Sequence, residues 1–113
     1  MSHEYKPRRA SKHWLVGAPE YILDCFDNKG KTADRYTVLF GGSLLVPELL
    51  INRNVFYLGM SDAPTNPQGV SMWGECSASW RPSRERVKWL DLPEHIRTHV
   101  IARADSTNNA SED

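Results

Sequence analysis

Two histidines, His95 and His99, stand at positions i and i+4. On a helix that spacing puts both imidazoles on one face, as in a two-histidine metal pair. The zinc-protease signature also needs a glutamate directly after the first histidine, and Ile96 occupies that place. No third ligand stands near them, and Cys25 and Cys76 are too far apart for a CxxC knuckle. The pair therefore reads as a solvated helix face, with no metal and no other cofactor expected. A thiol nucleophile at Cys76, with His95 or His99 as its base, is a further candidate. Cys76 runs into Ser77-Ala78-Ser79, which carries no signature of that chemistry, so a neutral thiol is expected. P-loop, GxGxxG and GxSxG patterns are absent.

Anion binding is the chemistry with more support. Asp34-Arg35-Tyr36-Thr37 lies before a loop that carries Ser61, Asp62 and Gln68. In an extended chain Arg35 and Thr37 project together, and Asp34 and Tyr36 project to the other side. A guanidinium beside a hydroxyl, with loop amides nearby, can hold a phosphate or carboxylate. That would make a small-ligand or nucleotide site, with hydrolysis as an extension of it. The competing reading is structural: Arg35 bonds Asp62 or loop carbonyls and pins the loop to the sheet. The structural reading is preferred. A second basic stretch runs from Trp80 to Trp89 and includes Arg81 and Arg84. Cations interleaved with tryptophans can stack on bases or form a protein-binding hot spot. The bland alternative is a solvated charged loop whose tryptophans turn inward.

These side chains need a scaffold. With 113 residues the chain makes one domain. Its 14 basic and 14 acidic residues cancel, which argues against a whole-surface nucleic-acid footprint but not against a local basic patch. No apolar run approaches the ~20 residues that span a bilayer, and Met1 to Arg9 does not lead into a secretory signal. Two cysteines are too few for a disulfide framework, so reduced thiols and a cytoplasmic location are expected.

Residues 1–13 read as a flexible basic tail. Tyr21-Ile22-Leu23-Asp24-Cys25-Phe26 reads as a strand in which Asp24 alone is strongly polar, so both faces should be covered at least in part. Asp27-Asn28-Lys29-Gly30 is a turn, and a return strand is expected over 33–41. Leu44 to Ile51 is broken by Pro47; a helix starting at the proline and a short strand both fit. Strands are expected at 55–60 and 70–76, flanking a structured loop at 61–69 with two prolines and a glycine. Residues 86–90 read as a further short extended segment.

The clearest helix follows. Asp91 and Glu94 stand at capping-box spacing, Pro93 fits the first turn, and Leu92, Ile96, Val100 and Ala104 form an apolar stripe that Ile101 widens. Residues 105–113 lack apolar bulk and read as a disordered tail. The expected fold is one α+β domain over 14–104: a small bent antiparallel sheet of about four or five strands, built on the central β-hairpin, with one C-terminal amphipathic helix packed on it.

Asp27-Asn28-Lys29-Gly30-Lys31-Thr32-Ala33-Asp34-Arg35-Tyr36-Thr37-Val38 resembles a widespread family of small bacteriophage and prophage proteins. Its pattern is close to Asp-Asn-Gly-Gly-x-Thr-x-Asp-Arg-Tyr-Thr-Val. Met60-Ser61-Asp62-Ala63-Pro64-Thr65-Asn66-Pro67-Gln68-Gly69 is similar to the family's Met-Ser-x-x-Pro-x-x-Pro-x-Gly, and Val87 to Glu94 is similar to its strand leading into Leu-Pro. Lys29 departs from the pattern, which often has glycine there. The family has no established activity, so the resemblance implies a phage context and no reaction.

The leading expectation is thus a non-enzymatic, phage-type accessory protein that binds a host or phage macromolecule, a protein in preference to a nucleic acid. The alternatives are a small-ligand or nucleotide-binding domain using Arg35 and the 61–69 loop, and single-stranded nucleic-acid binding through residues 80–89. The candidate binding residues are Asp34, Arg35, Tyr36, Thr37, Ser61, Asp62, Gln68, Trp80, Arg81, Arg84 and Trp89.

Overall fold

A computed structural model describes residues 5–82 and 85–111, with side chains to Asn108. The 27–31 turn closes through its own side chains. Asp27 Oδ1 accepts the Lys29 N–H at 2.7 Å, and Asn28 Oδ1 accepts those of Gly30 and Lys31 at 2.9 and 3.1 Å. Lys29 and Gly30 both take left-handed backbone angles, with φ of 62° and 86°. A glycine at position 29 would meet that requirement with less strain than lysine does.

The turn joins strand β1 (Ile22–Asp27) to β2 (Tyr36–Phe40). With β3 (Asn54–Met60) and β4 (Ser71–Ser77) they form one antiparallel sheet in chain order. The return strand is shorter than expected. The Thr32 hydroxyl donates to Asp34 Oδ1 at 2.6 Å and accepts from Asn28 Nδ2 at 2.7 Å, so residues 32–35 stay in the loop and β2 starts at Tyr36. Between β2 and β3 a helix, α2 (Pro47–Ile51), starts at its proline, where the missing N–H removes no bond.

Alternation assigns the two sheet faces. On one, Tyr36, Val38, Phe40, Leu58 and Met60 join Ile22, Cys25 and a short N-terminal helix, α1 (Lys12–Leu15), through Leu15. The cover is helix α3 (Glu94–Ser111), whose Ile96-Val100-Ala104 stripe is buried as its spacing requires, with Leu92 buried just ahead of it. Ile101 is not part of the stripe; it is 37% exposed. Asp91 does not cap α3. Leu92 precedes a proline and is held extended (ψ 140°), so the helix starts at Glu94 and Asp91 ends a separate 3-10 turn, Trp89–Asp91. The opposite sheet face buries Leu23, Phe26, Leu39, Val55 and Ala78 under Tyr5 and Tyr57.

Three expectations about chain ends and edges change. Residues 5–13 do not hang loose. A register shift between Ile22 and Asp24 turns the carbonyls of Ile22 and Leu23 outward, where Arg9 Nε (2.8 Å) and the Ala10 N–H (2.9 Å) meet them. Residues 85–87 add to the same edge through Asp27 N–H to Glu85 O (3.2 Å) and Val87 N–H to Cys25 O (3.0 Å), so the expected 86–90 segment becomes a single bridge followed by the 3-10 turn. Beyond Ala104 the chain continues as helix to Ser111 where a disordered tail was expected, because each residue added to an existing helix gains a bond without a new nucleus.

Candidate functional site

The Arg35 constellation folds as a clasp. Arg35 Nε and Nη2 donate to the two carboxylate oxygens of Asp27 at 2.8 and 3.1 Å, and Nη1 donates to Asp62 Oδ1 at 3.1 Å. Its guanidinium carbon lies 4.9 Å from the centroid of the Tyr36 ring. The hydrogen bond from Arg35 holds the Asp27 carboxyl below its usual range, and the same bond pushes the Arg35 guanidinium higher still. Arg35 therefore spends its fork on carboxylates and reaches the 61–69 loop as a pin.

Ser61, Asp62, Tyr36 and Thr37 also tie the loop down or are buried. The Ser61 hydroxyl accepts the Val70 N–H at 2.9 Å. His95 Nε2 meets the Asp62 carbonyl at 2.6 Å. Gln68 is exposed and, among the described residues, bonds only through its main-chain N–H, to Asn66 Oδ1 at 2.9 Å. Tyr36 and Thr37 are buried on opposite faces of β2.

His99 Nε2 lies 2.8 Å from Ser71 Oγ, so the two helix histidines go to separate loop and strand partners. Burial and the nearby Arg103 charge push the His99 pKa down. Among the described residues no three His, Cys, Asp or Glu side chains gather into a metal set. Both cysteines are free thiols; burial pushes Cys25 up strongly and Cys76 up to about 11.

The two tryptophans of the 80–89 segment separate. Trp89 is 2% exposed, a core residue beneath α3, which removes it as a stacking platform. Trp80 is 40% exposed and leans on Tyr57 with ring centroids 5.5 Å apart. Arg84 lies outside the described residues. A hollow of about 510 Å³ brings Asp34, Arg35 and Thr37 to Trp80 and Arg81, joining part of two sets that the sequence leaves 43 or more residues apart.

Arg81 belongs also to a larger site that was not among the candidates. Asp24, 1% exposed in the middle of β1, carries a full set of partners. Arg86 donates from Nε to Oδ1 at 2.7 Å and from Nη2 to Oδ2 at 2.9 Å; Arg81 Nε donates to Oδ2 at 3.2 Å; the Cys25 N–H donates to Oδ1 at 3.1 Å. Arg86 also sits over the rings of Trp14 (5.8 Å) and Phe26 (5.7 Å). This cluster floors a groove of about 760 Å³ whose walls include Tyr5, Arg8, Arg9 and Trp14.

Among the described residues, four guanidinium groups and one carboxylate thus line the groove, a surplus of three positive charges. The Arg9 guanidinium itself donates to carbonyls, from Nε to Ile22 O at 2.8 Å and from Nη2 to Pro19 O at 3.2 Å. The exposed Arg8 guanidinium makes no hydrogen bond to the described residues; only its main-chain oxygen is engaged, by Arg81 at 3.4 Å. The sequence held one signal for this site. A lone aspartate in a strand covered on both faces calls for a compensating cation, but nothing local says which of the chain's arginines supplies it.

No protein-family model, curated protein sequence or solved structure matches the chain. No helix among the described residues is long and apolar enough to cross a membrane.

Proposed function

We propose that this chain is a binding protein that takes a phosphate-bearing ligand in the groove walled by Arg8, Arg9, Arg81 and Arg86. The observation that carries the reading is the surplus of positive charge around the buried Asp24 carboxylate. The planar Arg8 fork matches phosphate oxygens, while Arg9, Arg81 and Arg86, whose donors are spent on Asp24 and on carbonyls, add positive charge that the partly desolvated groove screens less than open solvent does. Tyr5 and Trp14 on the wall offer faces for the apolar or aromatic part of the same ligand. This moves the ligand-binding alternative from Arg35, which two carboxylates neutralise, to the groove over the middle of β1, where positive charge is in excess. The two free thiols support a reducing compartment, so the setting proposed is cytoplasmic, within a host cell if the phage resemblance holds.

The test is calorimetric titration with inorganic pyrophosphate, a mononucleotide and a short single-stranded DNA at low and physiological salt. Saturable binding that weakens with salt is expected, and Arg8→Glu should weaken it at least about tenfold without moving the urea midpoint. The salt slope separates the two sources of phosphate, because a strand releases more counterions than a mononucleotide. The absence of saturable binding by all three probes at low salt, or an unchanged affinity in Arg8→Glu, overturns the proposal.

A second reading, the phage-type accessory protein docking on another protein, is favoured by Trp80 and Met72. These large apolar side chains, 40% and 51% exposed, lie on the sheet side away from α3. Its test is Trp80→Ala: partner capture should fall sharply while the melting temperature moves little.

A further inference from the structure

We infer that β4 is the pairing edge for a second copy of this chain, giving a two-fold dimer with one continuous eight-stranded sheet. The sheet's two edges are treated differently. The β1 edge is closed by Ala10 and by residues 85–87. On the β4 edge, among the described residues, no main-chain hydrogen bond reaches the outer side of Ser71–Cys76. Edge strands left open usually carry lysine, proline or a bulge that blocks pairing. Ser71-Met72-Trp73-Gly74-Glu75-Cys76-Ser77 has no lysine and no proline, and its seven residues pair with β3 in unbroken register.

The sequence of β4 suits its own antiparallel image. The strand is centred on Gly74, so full overlap of two copies sets Gly74 against Gly74 of the second copy. Ser71 then faces Ser77 of the second copy, Met72 faces Cys76, and Trp73 faces Glu75. Residues directly opposite in an antiparallel pair share a sheet face. Met72, half exposed, thereby gains an apolar neighbour on the face away from α3. On the α3 face, Trp73 lies between Phe40 and Phe56 with the Arg103 guanidinium 5.1 Å from its ring centroid. Arg103 has no ion-pair partner among the described residues, and Glu75 is exposed without one. Pairing brings the Glu75 carboxylate of the second copy beside Trp73 and under Arg103, and the two-fold axis makes this contact twice. Unpaired opposite charges that meet only in the dimer are the complementarity that selects a second copy over an unrelated strand. The phosphate groove sits on the β1 side, so the inference is independent of the function proposed for it.

The experiment is sedimentation equilibrium of the full chain over a concentration series reaching into the millimolar range. A reversible monomer–dimer equilibrium is expected. Glu75→Arg and Arg103→Glu, both at exposed positions, should each weaken the dimer about tenfold, and the double reversal should restore it. Amide exchange of residues 71–77 should slow as dimer forms. A chain that stays monomeric throughout, a dimer indifferent to both reversals, or protection elsewhere than β4 overturns the inference.

Discussion

Replacing Asp24 by asparagine should move stability and phosphate affinity in opposite directions. The wild-type carboxylate is 1% exposed and accepts three charge-assisted bonds, from Arg86 twice and Arg81 once, plus the Cys25 N–H. Asparagine keeps one acceptor oxygen but presents an NH2 to the guanidinium bonds on the other, and it leaves two cations without their counter-charge. Breaking a buried pair by removing one partner costs roughly 3–5 kcal/mol. The Arg81 and Arg86 side chains are 23% and 37% exposed, so water recovers part of that loss. About 2–3 kcal/mol remains, which corresponds in urea to a midpoint shift of roughly 1–2 M at unchanged slope. The same change removes the only negative charge among the described residues that line the groove, so pyrophosphate should bind several-fold tighter and stabilise the variant more than the wild type. Urea unfolding with and without pyrophosphate reads both effects. A stability loss below about 0.5 kcal/mol would mean that the cluster behaves like a surface ion pair. Weaker pyrophosphate binding would mean that Asp24 positions the arginines for the ligand more than it opposes the ligand's charge.

Two further substitutions test the assignment of side chains to core and clasp. Trp89→Ala should lower stability by about 3–5 kcal/mol, whereas Trp80→Ala should cost about 1 kcal/mol or less, because one ring is enclosed and the other leans on Tyr57 from solvent. Equal melting-temperature losses would refute that division. Asp27→Asn should cost about 1 kcal/mol at neutral pH. The Asp27 pKa is depressed in the folded protein by its bond from Arg35, so its contribution is present above the unfolded carboxyl value and is lost as pH falls through the lower folded one. The stability curves of wild type and variant should therefore converge in acid; a gap that persists there would place the effect elsewhere than the ion pair.

Local pattern was a good guide wherever the cause was itself local. The alternating apolar residues of β2 and β3, the Asp27-Asn28-Lys29-Gly30 turn and the i, i+4 stripe of α3 are where the sequence places them, because side-chain period and turn chemistry act over a few residues. The polar residues of the 27–37 stretch knit the hairpin loop together and tie it to the 61–69 loop: Asn28, Thr32 and Asp34 bond one another, and Arg35 joins Asp27 to Asp62. A pattern this dense in polar residues invites reading as a binding site, and most of its hydrogen-bonding capacity is spent inside the fold.

The sequence alone determined the α+β class, the four strands, the C-terminal helix and the expectation that β1 is covered on both sides. Tertiary structure decided which cations answer Asp24, since Arg81 and Arg86 lie 57 and 62 residues away along the chain. It decided that Trp89 is enclosed and Trp80 exposed, and that residues 5–11 dock on β1. The physical reason is the range of the forces. Periodicity and turn geometry are written within a few residues, whereas a buried charge is neutralised by whatever the path of the chain brings beside it.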